Sequence, residues 1–308
     1  MLKGLAITPP VVGRISIGRV VEKNGKRLPE KDDQFTLTTQ IQQRDGWMLH
    51  PLNESLRKAN TGKLRSIPVR FLFNDPDLNL RAEYACFDRE SGRPVCVGNG
   101  ETCRRAGEAG IAELPCPSPD GCAFGKSGAC KPYGRLNVLI GDEDDMGSFI
   151  FRTTSYNSIR TLAARLHYFS AVSGNRLACL PLELKLRGKS TTQSYHSAIY
   201  YADIGVRSGS ALVDAIATAV ELAAQRKAAG FDQSALDDAA RAGFRNGAFE
   251  ESTEDGAAVA EEFYPPAPSD RAPTGEEDAP DSPAQSSLKD RLDRRAARLG
   301  SYHEGQAA

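Results

Sequence analysis

Six of the seven cysteines in this 308-residue chain, Cys86, Cys96, Cys103, Cys116, Cys122 and Cys130, fall between positions 86 and 130. At the whole-chain frequency a window of that length would hold about one cysteine, so thiol chemistry is where the chain departs most from an ordinary composition. A structural zinc takes four thiolates in a tetrahedron, with sulfur about 2.3 Å from the ion. Cys103, Cys116, Cys122 and Cys130 are the four expected to supply it. Pro117, Pro119 and Gly121 lie between Cys116 and Cys122, and Gly125 and Gly128 precede Cys130, where a chain reversing round an ion needs turn formers. Cys86 and Cys96 stand upstream, on or between expected strands, and could replace one of the four. No Cys-x-x-Cys pair occurs, so other outcomes stay open: three disulfides, an iron–sulfur cluster on the same thiolates, or simply buried free thiols. The N-terminus, MLKGLAITPP, has no apolar signal-peptide core, which favours a reducing cytoplasm over disulfides. Cys179, in RLACLPLEL, reads as a core thiol.

A second group of candidates is the acidic run in GDEDDMG. Carboxylates at a strand end can hold Mg²⁺ for phosphodiester hydrolysis, which would make Asp142, Asp144 and Asp145 the residues of a metal-dependent hydrolase or nuclease. No second acidic motif completes a two-metal site, so an acidic turn is the simpler reading. His167 sits on an expected helix, and His196 has no serine or aspartate partner in any motif that would make it a base, so no catalytic residue is assigned. No glycine-rich phosphate loop occurs, so nucleotide binding is not expected.

The elements that must position these groups follow from periodicity. VVGRISIGRVV and FTLTT read as two strands joined through Asn24-Gly25, and Lys3, Arg14, Arg19, Lys23, Lys26, Arg27 and Lys31 make this region basic enough to be a candidate for phosphate contact. MLHPLNESLRKA has helical spacing, with Asn53 as a cap. IPVRFLF (67–73) and LNLRAEYACF (78–87) read as strands around an Asp-Pro-Asp turn, and RLNVLI (135–140) as another. The cysteine stretch then falls between two strands as a long loop of little regular structure, which an ion would staple against the sheet. SFIFR is a short strand, and the helix after it, capped by Ser155 and ended by Gly174, carries an apolar stripe of Ile159, Leu162, Ala163, Leu166 and Phe169, with Arg160 and Arg165 toward solvent. LPLELKL and SYHSAIYYADI alternate as half-exposed antiparallel strands do. A strong helix over 210–229, with Leu212, Ile216, Ala219, Val220 and Leu222 inward, and a weaker one over 233–245 close the domain. The expected architecture is α+β, a mostly antiparallel sheet with a cysteine-rich metal-binding loop over 86–131 and C-terminal helices, all within residues 1–245.

Composition changes after that. Residues 246–285 hold eleven acidic side chains against one basic, a stretch rich in Pro, Ala and Ser that cannot bury enough apolar area to offset its ordering entropy, and it is expected to be a disordered acidic linker. The near-zero net charge of the chain therefore conceals a mildly basic folded part. Residues 286–300 return to helical spacing, with Leu288, Leu292 and Leu299 among Arg291, Arg294, Arg295 and Arg298, as an amphipathic basic tail helix suited to docking on a partner. No apolar run is long enough to span a membrane.

GRISIGRVVEKNGKRLPEKDDQFTLTT, the cysteine stretch closing in CKPYGRLNVLI, and FRTTSYNSIRTLAARL together resemble the recombination directionality factor-like proteins of phages and mobile elements, over roughly residues 8 to 205. That family is similar to the phage factors that bind large serine integrases and turn insertion into excision, and its bacterial members are often labelled hydrolases or metal-binding proteins. The resemblance implies a protein that works through contacts with a serine integrase, or another recombinase or replication protein, and with DNA. No catalytic residue carries over. The sequence therefore leads to a non-enzymatic, zinc-stapled accessory factor of recombination or DNA metabolism, with the metal-dependent nuclease as its rival.

Overall fold

The computed structural model describes residues 11–244 except 24–25, 44–45, 61, 128, 143–146, 191 and 193–197, together with Val259 and Phe263, with residues 19–31 and 46 described by backbone alone. Twelve strands and seven helices are found among them, in an α+β arrangement. The strands are β1 (Val11–Lys23), β2 (Lys26–Gln43), β3 (Gly46–Leu49), β4 (Ser66–Arg70), β5 (Leu80–Phe87) and β6 (Pro94–Gly98). They continue as β7 (Thr102–Gly107), β8 (Gly110–Pro115), β9 (Lys131–Ile140), β10 (Ser148–Thr153), β11 (Leu182–Lys189) and β12 (Ile199–Val206). The main path runs β3-β2-β1-β10-β9-β5-β6-β7-β8, and a side branch of β12, β11 and β4 joins it where Val69 pairs with Ile140 of β9. Every pairing is antiparallel except β1 with β10.

The largest core lies between the sheet, its side branch and two helices, α5 (Tyr156–Val172) and α6 (Leu212–Ala228). α5 forms as its sequence demands. The Ser155 side chain accepts the Ser158 amide at the N-terminus, Ile159, Leu162, Leu166 and Phe169 are buried, and Gly174 takes the left-handed φ of 62° just beyond the end. Arg165 is exposed as expected, and it is also engaged. It reaches Asp203 of β12 at 3.1 Å, a carboxylate that also accepts from Arg187, so the helix is clamped to the sheet by charge as well as by its stripe. On α6, Leu212, Ile216, Ala219 and Leu222 pack on the core as expected, whereas Val220 is exposed. Its place, about 100° round the helix from Ala219, carries it off the buried face.

Three local expectations are corrected by hydrogen bonding. Asn53 does not cap α1 (Pro51–Ala59): His50 does, its Nδ1 accepting from Leu52, while the buried Asn53 Oδ1 accepts from Leu37 of β2 at 3.0 Å. The Asp-Pro-Asp turn is the start of a short helix, α2 (Pro76–Asn79), capped by Asp75, so the following strand begins at Leu80. Asn79, fully buried, accepts from the Leu72 and Phe73 amides and donates to the carbonyls of Phe73 and Asp75. That one side chain pairs the turn backbone that the sheet leaves over.

Within the stretch expected as a linker, Val259 and Phe263 are buried against Ala85, Phe87, Val97 and Tyr133, with the Phe263 ring 5.0 Å from Phe87 and its carbonyl accepting from Lys131 at 2.9 Å. The rest of 246–285 and the tail helix expected over 286–300 lie outside the described residues. No helix among the described residues is long and apolar enough to cross a membrane.

Candidate metal centre

The cysteine stretch is not the loop that its Gly and Pro content suggests. Half of it adds β6, β7 and β8 to the sheet as a meander, and only 116–130 folds back as two short helical turns, α3 (Ser118–Gly121) and α4 (Ala123–Ser127). Turn formers mark where chains reverse, and here they mark the ends of short strands as well as loops.

Register brings the thiols together. Cys86 of β5 stands directly opposite Cys96 of β6, and Cys96 opposite Arg105 of β7. One residue beyond the Ala85–Lys131 pair, Cys86 comes level with Cys130 at the start of β9. Opposed residues share a face, so Cys86, Cys96 and Arg105 form a row across three strands, with Cys130, the residue before β9, at its end. Cys103 lies on the same face two residues from Arg105, paired with Gly98. Cys116 follows β8 and is held by its amide to the Glu101 carbonyl at 2.8 Å, and the helical turns then carry Cys122 over the row.

Gly98 makes this convergence possible. A Cβ there would lie 2.6 Å from Cys103 Cβ, 2.9 Å from Cys116 Sγ and 2.9 Å from the Thr102 carbonyl oxygen, so no other residue type leaves the two thiols in place.

The four expected ligands, Cys103, Cys116, Cys122 and Cys130, line one cavity of about 10 Å³, and Cys96 joins them. Cys86 packs beside Cys96 and Cys103. A space of that size holds one ion or one water and no organic substrate. Arg105, absent from the sequence reading, enters the same cavity: its Nη2 donates to Cys122 Sγ at 3.8 Å and its guanidinium stacks 4.1 Å above Phe124. Its strand spacing from Cys103 was the signal available to find it.

Burial pushes the Cys130 thiol up to about 12, reinforced by the neighbouring Cys86, Cys96, Cys116 and Cys122. Burial and the adjacent Cys96 push Cys103 up to about 11. Cys122 moves the other way, because the Gly125 amide and Arg105 stabilise its thiolate. Thiolates at close quarters repel, so several of these sulfurs ionise together only beside a cation that offsets the repulsion.

Thiolates are donors of the kind that zinc takes. The spacing of the six cysteines is that of free thiols, and among the described residues no three His, Cys, Asp or Glu side chains are arranged so that they could hold a metal ion.

The other candidates fare differently. Asp142 is engaged in a two-pronged pair with Arg207, at 2.7 and 2.8 Å, which holds its carboxyl below the usual range. Asp144 and Asp145 lie outside the described residues, as does His196. Arg14, a candidate for phosphate contact, is buried, donates to Gln40 at 3.0 Å and stacks 3.9 Å over Trp47. Lys3 and the side chains of Arg19, Lys23, Lys26, Arg27 and Lys31 lie outside the described residues. Cys179 is a core thiol as expected, raised by burial.

A mixed, mainly antiparallel sheet with cysteines gathered at its β5–β8 end defines the class: an α+β protein with a thiol cluster at its sheet edge. The chain belongs to the recombination directionality factor-like (Gp3-like) family, whose model matches residues 12–207. Membership ties it to recombination on phages and mobile elements. No curated protein and no solved structure matches the chain.

Proposed function

We propose that the protein is a non-enzymatic accessory factor of site-specific recombination that binds a serine integrase or a related recombinase, with DNA as a further contact, and that its cysteine knuckle is a zinc staple. The family match over residues 12–207 is the observation that carries the recombination role. Zinc is supported by the convergence of five thiols on one atom-sized cavity, with Cys86 packed beside Cys96 and Cys103. In that role the metal contributes folding free energy and no chemistry, since thiolates become a stable set only when a cation offsets their repulsion. Cys103, Cys116, Cys122 and Cys130 would hold it, with Arg105 donating to sulfur from outside the shell. The engagement of Asp142 by Arg207 favours the accessory factor over the nuclease, because a carboxylate already paired in two hydrogen bonds is a poor metal ligand.

The test combines two measurements. Protein purified without added metal is analysed for zinc and for visible absorption, and is then mixed with a serine integrase from the same mobile element and its recombination sites. About one zinc per chain, no colour, and a shift of the integrase from insertion to excision are expected. An unaltered integrase product ratio, with no complex formed, removes the recombinase role. Metal-free protein that folds normally removes the staple, and a brown protein replaces zinc with an iron–sulfur cluster.

A further inference from the structure

A second and larger cavity lies away from the cysteine knuckle, and nothing in the proposed function uses it. It has a volume of about 440 Å³ and forms where the turn over Leu177–Cys179, the C-terminal end of α6 and the first turn of α7 (Gln233–Gly243) meet. Small-molecule sites run from about 300 to 1,000 Å³. The cavity is therefore large enough for an organic ligand, unlike the cysteine cavity. α6 and α7 lie beyond residue 207, outside the family match.

Its chemistry is one-sided. Arg176, Arg226 and Lys227 line it, against the single carboxylate of Asp232. Asp232 is engaged: Oδ1 accepts the Ala235 amide at 3.0 Å and the Ser234 hydroxyl at 2.8 Å, capping α7. Two further features mark a place for a specific molecule. Arg226 bridges floor and rim, with Nη1 donating to Cys179 Sγ at 3.7 Å and its guanidinium 5.5 Å from the half-exposed Phe231 ring, so cationic and aromatic surfaces sit together. Gln233 is pinned through Nε2, which donates to the Leu72 carbonyl at 3.0 Å and to Asp237 at 2.8 Å. Its Oε1 is buried with no hydrogen-bond partner.

We infer that this cavity is a binding site for a small organic anion, a carboxylate or phosphate attached to a flat apolar body, with the anionic group held between Arg176, Arg226 and Lys227 and the body against Phe231. Guanidinium groups pair with both oxyanions in the same forked geometry, so the shared chemistry is the oxyanion. Cys179, which lines the cavity, serves as a built-in reporter of occupancy.

The experiment uses the full-length protein with benzoate and phenyl phosphate as probes, benzyl alcohol as the uncharged control, and two readouts: calorimetric titration, and the rate of Cys179 alkylation by iodoacetamide followed by peptide mass spectrometry. Binding at roughly millimolar concentration by one or both anions, with slowed labelling of Cys179 and no protection from benzyl alcohol, is expected. Preference for phenyl phosphate or for benzoate identifies which oxyanion the site takes. Arg226→Gln should weaken binding by roughly tenfold, the loss of one charge-assisted hydrogen bond. Lys227→Gln, an exposed change that leaves the core untouched, should weaken it in the same direction and covers the case in which the Arg226 variant fails to fold. Absence of heat and of Cys179 protection with both anions overturns the site. Equal protection by benzyl alcohol, or unchanged binding in Lys227→Gln and in folded Arg226→Gln, makes it an apolar gap and overturns the anion assignment.

Discussion

Replacing Gly98 with alanine isolates the geometry of the cysteine knuckle from its chemistry. The added methyl would meet Cys103 Cβ at 2.6 Å, Cys116 Sγ at 2.9 Å and the Thr102 carbonyl oxygen at 2.9 Å. Two of those three atoms are backbone or one bond from it, and cannot swing away as a lysine tip could. Gly98 does not have a positive φ, so the backbone itself accepts alanine and the cost is steric. Overpacking a tight site costs typically about 1–3 kcal/mol, and contact with fixed atoms on two sides places this change in the upper half of that range. For a folded unit of this size, such a loss lowers Tm by roughly 4–12 °C. The matching control is Gly107→Ala on the neighbouring strand, where the nearest atom to a new Cβ is 3.7 Å away and an effect within about 0.5 kcal/mol is expected. Urea denaturation of the two variants measures the difference, and zinc content measured alongside should fall only for Gly98→Ala. If Gly98→Ala matches wild type in both stability and zinc content, then strands β6 and β7 do not pack as described, and register is not what brings the thiols together.

Four further outcomes are expected. Asn79→Ala should cost about 3 kcal/mol or more in chemical denaturation, because it leaves the Leu72 and Phe73 amides and the Phe73 carbonyl buried without their partner. Phe263→Ala should cost about 3–5 kcal/mol, as removal of a core phenylalanine does, and truncation after residue 244 should be at least as damaging; a silent Phe263→Ala would mean that the folded unit ends with α7. Asp142→Asn should leave the fold intact and cost no more than about 1 kcal/mol at neutral pH, since the Asp142 end of the pair is largely exposed. Because Arg207 lowers the Asp142 pKa in the folded state, whatever the pair contributes is present above the ordinary value of 3.8 and lost as pH falls through the lowered one, so wild type and Asp142→Asn should converge in strong acid. Asp203→Ala should loosen α5 from β12 by removing the partner shared by Arg165 and Arg187, seen as faster amide exchange in α5.

Much of the fold was legible in local sequence because local physics decides it. The stripe of α5 and its Ser155 cap, the strands ending at Ile140 and Thr153, and the hairpin of β11 and β12 follow from periodicities of about 3.6 and 2. Errors fell where a side chain answers to partners distant in sequence. Asn53 looks like a cap within its own segment, and its partner is Leu37, sixteen residues away. Arg14 looks like a surface cation, and Gln40 and Trp47 hold it.

The same division runs through the candidate site. Composition alone determined that thiol chemistry sits between Cys86 and Cys130, since clustering of a rare residue type needs no coordinates to be seen. Only the tertiary structure decided that Cys86 and Cys96 come beside Cys103 and Cys130, because that depends on the register of β5, β6, β7 and β9, and a slip of one residue would turn each strand thiol to the opposite face. It also brought Arg105 in among the sulfurs and joined Arg176, Arg226 and Lys227 around one cavity. Charges so far apart in sequence become neighbours only when the helices that carry them pack, and packing is a property of the whole chain.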